Sequence, residues 1–220
     1  MPENPLWVWD DTSKRYRNSK SGQYIGIKSM NGLRDEFIVQ QKGITDGFAA
    51  SLRSGDITLS QWEKSMRKTI KDTYIDMYSM GAGGRNSLSQ KDWGKIGSMV
   101  KEQYGKDGYL KGFYDSIASG NMSEGQIAAR SRMYINSANE SMWKGITNDL
   151  PTKPGQNYPL PFYPGDGSTE CMTNCLCQWD IIPTDNGYDC YWRLSSAEHC
   201  PTCISRSLDP RYQPYQIMVS

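Results

Sequence analysis

The residues of this chain best suited to metal binding or nucleophilic chemistry are gathered near its C-terminal end. All six cysteines and the single histidine lie between residues 171 and 203. They occur in the segments Cys171-Met-Thr-Asn-Cys175-Leu-Cys177 and His199-Cys200-Pro-Thr-Cys203, with one further cysteine at position 190. Neither residue type precedes position 171. This segregation predicts a small cross-linked or metal-bound unit attached to a different kind of domain.

The spacing of these residues favours a structural zinc site. Zinc in such sites has four ligands at tetrahedral corners and binds thiolates well. The predicted ligands are two thiolates from each of two short segments: Cys175, Cys177, Cys200 and Cys203. Cys171 or His199 could replace one of these four. Cys190 stands within an alternating apolar run, so we interpret it as a buried thiol.

Two alternatives to zinc stay open at this point. The thiols could pair as disulfides after release into an oxidising medium, or they could stay free. The segment Met1-Pro-Glu-Asn-Pro has no apolar signal region, which predicts synthesis in a reducing cytoplasm. Clustered cysteines there favour metal or free thiols. A unit this small has too little core to fold alone, so some cross-link is expected.

The pattern does not predict an enzyme. Four protein ligands leave zinc no open position, so the metal would contribute folding energy and no chemistry. A cysteine–histidine nucleophile pair could use only His199, and its direct neighbour Cys200 is poorly placed to face it. The sequence also lacks Gly-x-Ser-x-Gly, a phosphate-binding loop ending in Lys-Ser/Thr, and His-Glu-x-x-His.

The Cys-rich unit is expected to be attached to a helical domain that comprises residues 31–150. Apolar residues recur there at helical spacing, in stripes that begin near residue 31 and after Thr58, Ser89 and Ser123. Thr58 and Ser123 are each followed by glutamine three residues later, the pattern of a helix capping box. Such stripes predict a packed helical core rather than a cofactor site.

Beyond residue 150 the composition changes. Five prolines within 151–164 predict an extended linker or strap. The Cys-rich module, residues 165–205, has two alternating runs, 178–182 and 188–194, that predict a zinc-ribbon-like β-hairpin. Residues 206–220 carry prolines and tyrosines, and we expect an extended tail. The predicted fold is therefore mainly α, with a small β-containing module near the C-terminal end.

Residues 1–30 are interpreted as an N-terminal arm. Trp7 and Trp9 would anchor it on a partner protein, and basic residues would contact phosphate or an acidic surface. The basic residues are Lys14, Arg15, Arg17 and Lys20. The alternative is a tail folded back on its own domain. The net charge of the chain is only +1, so no global field attracts nucleic acid. No apolar run approaches the roughly 18 residues of a membrane span.

Short motifs spread along most of the chain carry a family resemblance. They lie at 16–24, 54–62, 80–85, 91–94, 120–124, 130–134, 165–171, 174–177 and 199–203. In type and order they resemble the minor head, or head-morphogenesis, proteins of tailed bacteriophages. The element Asn174-Cys-Leu-Cys177 is similar to an Asn-Cys-Arg-Cys element near the C-terminus of that group. Leu176 stands where arginine is usual, and Cys190 is additional to the pattern.

The resemblance implies a virion protein that is not an enzyme. Such proteins are structural or assembly components of the phage head, assembled in the host cytoplasm. They associate with the major capsid or portal proteins in several copies. The alternative is a nucleic-acid-binding zinc module in contact with packaged DNA. Arg193 is the only lysine or arginine within 171–203, which argues against the module as a DNA reader.

Overall fold

The computed structural model describes residues 7–10, 15–18, 22, 24–25, 27–106 and 108–218. Its helices are α1 (Ile27–Ser54), α2 (Leu59–Gly81), α3 (Gln90–Tyr104), α4 (Tyr109–Ala118), α5 (Glu124–Ile146) and α6 (Pro201–Leu208). Its strands are β1 (Trp7–Asp10), β2 (Arg15–Asn18), β3 (Tyr24–Ile25), β4 (Gln178–Thr184), β5 (Gly187–Arg193) and β6 (Tyr215–Met218). The predicted mainly α fold with a β-containing C-terminal module is confirmed. Within these residues, no helix combines the length and apolar character needed to cross a membrane.

Helices α2, α3 and α5 begin where the sequence predicts, because each has a capping box. Thr58 Oγ1 accepts a hydrogen bond from the backbone N–H of Gln61 at 3.2 Å. In return, Gln61 Oε1 accepts one from the backbone N–H of Thr58 at 2.7 Å. Ser123 caps α5 in the same way, and Ser89 caps α3 through Asp92. These exchanges satisfy N–H groups that a helix start leaves unpaired.

Helices α2 and α5 form the centre of the helical core, where their backbones touch. Trp62 of α2 and Met142 of α5 are both fully buried in this core. A Cβ atom on Gly145 would overlap the carbonyl group of Tyr78, and one on Gly81 would overlap that of Met142. Only glycine therefore fits this crossing. The close approach holds α5 firmly, and α5 also carries the contacts to the Cys-rich module.

The segment predicted as an arm contains a small antiparallel sheet. Strand β1 pairs with β2, and β2 pairs with β3. Alternating aromatic and β-branched residues in this segment favour strands, and α1 already begins at Ile27. Arg17 is exposed. The other side chains assigned to partner or phosphate contact are not among those that the structure describes: Trp7, Trp9, Lys14, Arg15 and Lys20.

The Cys-rich module extends beyond residue 205, to Met218. Strands β4 and β5 form the predicted hairpin, and β6 pairs antiparallel with β5, so that Cys190 lies opposite Tyr215. The residues expected to form an extended tail thus supply the end of α6 and a third strand. The reason is burial, because Ile217 is almost fully enclosed by the module's apolar core. Cys190 is fully buried in β5, as predicted.

Residues 151–164 contain no helix or strand and pack between the helical core and the module. Phe162 lies with its ring centroid 5.2 Å from that of Trp179 and 5.1 Å from that of Trp192. Trp143 of α5 is buried in this second apolar core, whereas its neighbour Met142 is buried in the helical core. Helix α5 therefore contributes side chains to both cores.

Candidate metal centre

The cysteines are free thiols, and three of them form a group that could hold a metal ion. The Sγ atoms of Cys171, Cys175 and Cys203 all lie within 4.8 Å of one another. Cys203 Sγ is 3.7 Å from Cys175 Sγ and 3.9 Å from Cys171 Sγ. Cys200 Sγ is 3.6 Å from Cys171 Sγ. Cys171, Cys175 and Cys203, together with Cys200, which joins them through its contact with Cys171, are called the thiol cluster.

The thiol cluster contains three of the four residues predicted as ligands from the spacing: Cys175, Cys200 and Cys203. Cys171, predicted as a substitute ligand, lies inside it, and Cys177 lies beside it. The Sγ atom of Cys177 is 3.9 Å from Nδ1 of His199. The other ring nitrogen of His199, Nε2, lies 2.9 Å from the carbonyl oxygen of Ser195. Because a carbonyl only accepts, Nε2 donates, and Nδ1 is left as the acceptor that faces Cys177.

The start of α6 supplies two thiols of the cluster. Cys200 is the N-cap residue and Cys203 is the third residue of the helix. Pro201 stands at the first helical position, where its fixed φ and missing N–H suit a helix start. Unpaired N–H groups and the helix dipole at this end favour the thiolate form. The Glu170 carboxylate joins the two segments by accepting hydrogen bonds from Thr202 Oγ1 at 2.8 Å and Thr202 N at 3.3 Å.

A sharp turn brings the thiols of Cys171 and Cys175 into the same group. It contains a 3-10 helix, Met172–Asn174, in which Met172 has a φ of 50°. Among the described residues, every other residue with positive φ is a glycine. This left-handed conformation costs roughly 1–2 kcal/mol, so other contacts must hold the turn.

Two asparagines of α5 hold this turn against the helical core. Asn136 Nδ2 donates a hydrogen bond to Asn174 Oδ1 at 2.6 Å. Asn139 Nδ2 donates to the carbonyl oxygens of Cys175 at 3.2 Å and Pro164 at 3.4 Å. Sequence reasoning missed both residues, because the groups that they bind lie 25 to 38 positions away in the chain.

The thiols titrate differently because of their hydrogen bonds and burial. The interaction between the thiols of Cys175 and Cys177 lowers the pKa of Cys175 to about 5 and raises the pKa of Cys177. Burial raises the pKa of Cys171 and of Cys203. Since a thiol must lose its proton to bind a metal, binding would release protons and would weaken in acid.

The kind of metal that the cluster could bind is inferred from its donor atoms. No family model, curated protein or solved structure matches this chain. The assignment therefore depends on the chemistry of the cluster. Its described donors are sulfur atoms, and soft thiolate ligands select zinc, copper(I) or iron–sulfur groups over magnesium and calcium.

We expect Asn139→Ala to loosen the turn that carries Cys175. The change leaves two carbonyl acceptors without their donor, which costs roughly 1–3 kcal/mol when they are buried. Loss of such an outer contact lowers metal affinity by about tenfold or more. Competition with a chromophoric chelator measures the affinity. Asn86→Ala, at an exposed position, serves as the matched control. Equal affinities in the two variants would contradict the positioning role of Asn139.

Proposed function

We propose that the thiol cluster is a structural zinc site. Four thiolates about 2.3 Å from a tetrahedral zinc ion lie about 3.8 Å from one another. Three of the six Sγ–Sγ pairs in the cluster match this spacing, at 3.6, 3.7 and 3.9 Å. The proposed ligands are Cys171, Cys175, Cys200 and Cys203. The site is zinc-ribbon-like in that cysteine pairs flank a β-hairpin, and four protein ligands would leave the ion no open position for catalysis.

Exposed apolar side chains next to these ligands support a role in protein–protein contact. Met172, Leu176 and Ile204 each directly follow a cysteine of the cluster, and Leu208 lies one helical turn after Ile204. These four side chains are between 43% and 75% exposed. A bound zinc ion would fix the backbone that presents them. Preorganised side chains lose less freedom on binding, which favours affinity.

The function supported best is that of a structural or assembly protein of a bacteriophage head. It would bind the major capsid or portal proteins in several copies and would not act as an enzyme. The support is the family resemblance of the sequence motifs together with the module's exposed apolar side chains. The observation that carries the proposal is a compact group of thiols with exposed apolar residues directly beside it.

Purified particles of the encoding phage test this function. We expect the chain in the heads, in several copies per particle by quantitative mass spectrometry. A variant with Leu176→Asp and Leu208→Asp should be depleted from particles about tenfold or more, because charged side chains cannot be buried at such a contact. Val39→Asp changes an exposed apolar residue of α1 and should be incorporated normally. A monomeric protein that is absent from particles would overturn the proposal.

A further inference from the structure

A cavity of about 680 Å³ opens between α2, α3 and α4. Its described lining residues come from 63–115, so the cavity is separate from the thiol cluster. The volume is within the 300–1,000 Å³ that small-molecule sites typically have. We call this cavity the helical groove.

The lining of the helical groove carries more positive than negative charge. Two of its cations are neutralised by carboxylates that also line it. Arg67 donates to Glu63 Oε1 from Nε at 2.9 Å and from Nη2 at 2.7 Å. Lys111 Nζ donates to Asp115 Oδ2 at 3.0 Å. These two pairs cancel, so they add no net charge to the groove.

Two further lysines give the helical groove its net charge. Lys101 and Lys106 line it and are exposed. Within the described part of the chain, neither forms an ion pair or side-chain hydrogen bond. The described lining therefore has a net charge of +2, from four cations and two carboxylates.

Backbone hydrogen bonds hold Gly105 and Gly108, the described glycines on either side of Lys106. The backbone N–H of Gly105 donates to the carbonyl of Lys101 at 2.6 Å, and that of Gly108 donates to the carbonyl of Gly105 at 3.0 Å. A Cβ atom on Gly108 would lie 2.7 Å from the backbone nitrogen of Gly105, so this tight turn needs glycine. These two glycines are thus held before a ligand binds, so less affinity is lost to ordering their backbone.

We propose that the helical groove binds the phosphate group of a nucleotide-sized phosphomonoester, free or at the end of a nucleic-acid strand. A phosphomonoester carries about −1.5 to −2 charges at pH 7, which complements Lys101 and Lys106. The remaining volume accommodates an organic part beside the rings of Tyr104 and Tyr114, which also line the groove. The Tyr104 ring is held 5.1 Å from the Arg67 guanidinium carbon. Such rings provide flat faces for a base or a similar group.

Titrations of the full chain, followed by amide NMR, test this inference. We expect saturable shifts at residues 101–111 with adenosine monophosphate and with a short DNA duplex that carries a 5′ phosphate. The Lys101→Gln/Lys106→Gln variant should bind both probes about tenfold more weakly or worse, which corresponds to about 1.4 kcal/mol. Lys64→Gln/Lys91→Gln removes the same charge from exposed positions outside the groove and should bind normally.

Thermal unfolding confirms that both double variants are folded before they are compared. The inference is overturned if neither probe gives saturable shifts, or if the two double variants bind equally. It is also overturned if a duplex without the 5′ phosphate binds the groove as tightly as the phosphorylated one. That result would indicate general attraction to the nucleic-acid backbone.

Discussion

Cys203→Ser is expected to release zinc and to unfold the Cys-rich module while the helical core stays folded. Cys203 is fully buried, and its Sγ lies within 3.9 Å of both Cys171 and Cys175. Structural zinc contributes about 10–16 kcal/mol of apparent binding free energy in small zinc peptides, and this is largely folding free energy. Bound zinc should fall well below one per chain by elemental analysis. Limited proteolysis should then cleave within 165–218 and leave a fragment that contains 27–146.

Other cysteine variants separate loss of a ligand from loss of a buried side chain. Cys190→Ala removes a fully buried thiol of β5 that is outside the thiol cluster, so zinc should stay at one per chain. Cys177→Ser should also retain zinc, and Cys171→Ser should lose it. If Cys177→Ser loses zinc and Cys171→Ser retains it, the ligands are the four predicted from the spacing, with Cys177 in place of Cys171. Full zinc in Cys203→Ser would contradict the proposed site.

Trp143→Ala should lower the free energy of unfolding by about 3–5 kcal/mol. Trp143 is fully buried in the core between α5 and the module. Its indole N–H has no hydrogen-bond partner within the described residues, so the loss comes from packing alone. Since its neighbour Met142 belongs to the helical core, the module should melt before the helices in the variant. Calorimetry with circular dichroism measures both transitions.

Trp93→Ala provides the matched control for this loss of packing. Trp93 is a partly exposed residue of α3, and replacing it should change stability by about 1 kcal/mol or less. If the two tryptophan variants lose the same stability, Trp143 does not join the module to the helical core.

The helical part of the fold was predictable because its signals are local. Thr58 and Ser123 start helices through bonds to glutamines three residues away, and these bonds form in the structure as expected. Strand β6 was not predictable in the same way. Its buried residue Ile217 pairs with Tyr188, which lies far back in the sequence, and Pro214 just before it suggested an irregular tail.

The sequence predicted that the cysteines near the C-terminal end would form a site, but not which of them would lie together. Spacing predicted that Cys175, Cys200 and Cys203 would lie together, and the structure places Cys175 beside Cys203 and Cys200 beside Cys171. The inclusion of Cys171 depends on the positive φ of Met172, which the sequence does not signal because the left-handed region is unusual for a side chain of this kind. The support from Asn139 is equally hidden, since it acts between distant segments.

X-ray absorption spectroscopy at the zinc edge, on protein purified without added metal, tests the central claim most directly. We predict one zinc ion per chain with four sulfur neighbours at about 2.3 Å. A nitrogen neighbour at about 2.0–2.1 Å would show that His199 replaces one of the proposed thiolates. Protein without zinc, with its cysteines joined as disulfides, would contradict the metal site itself.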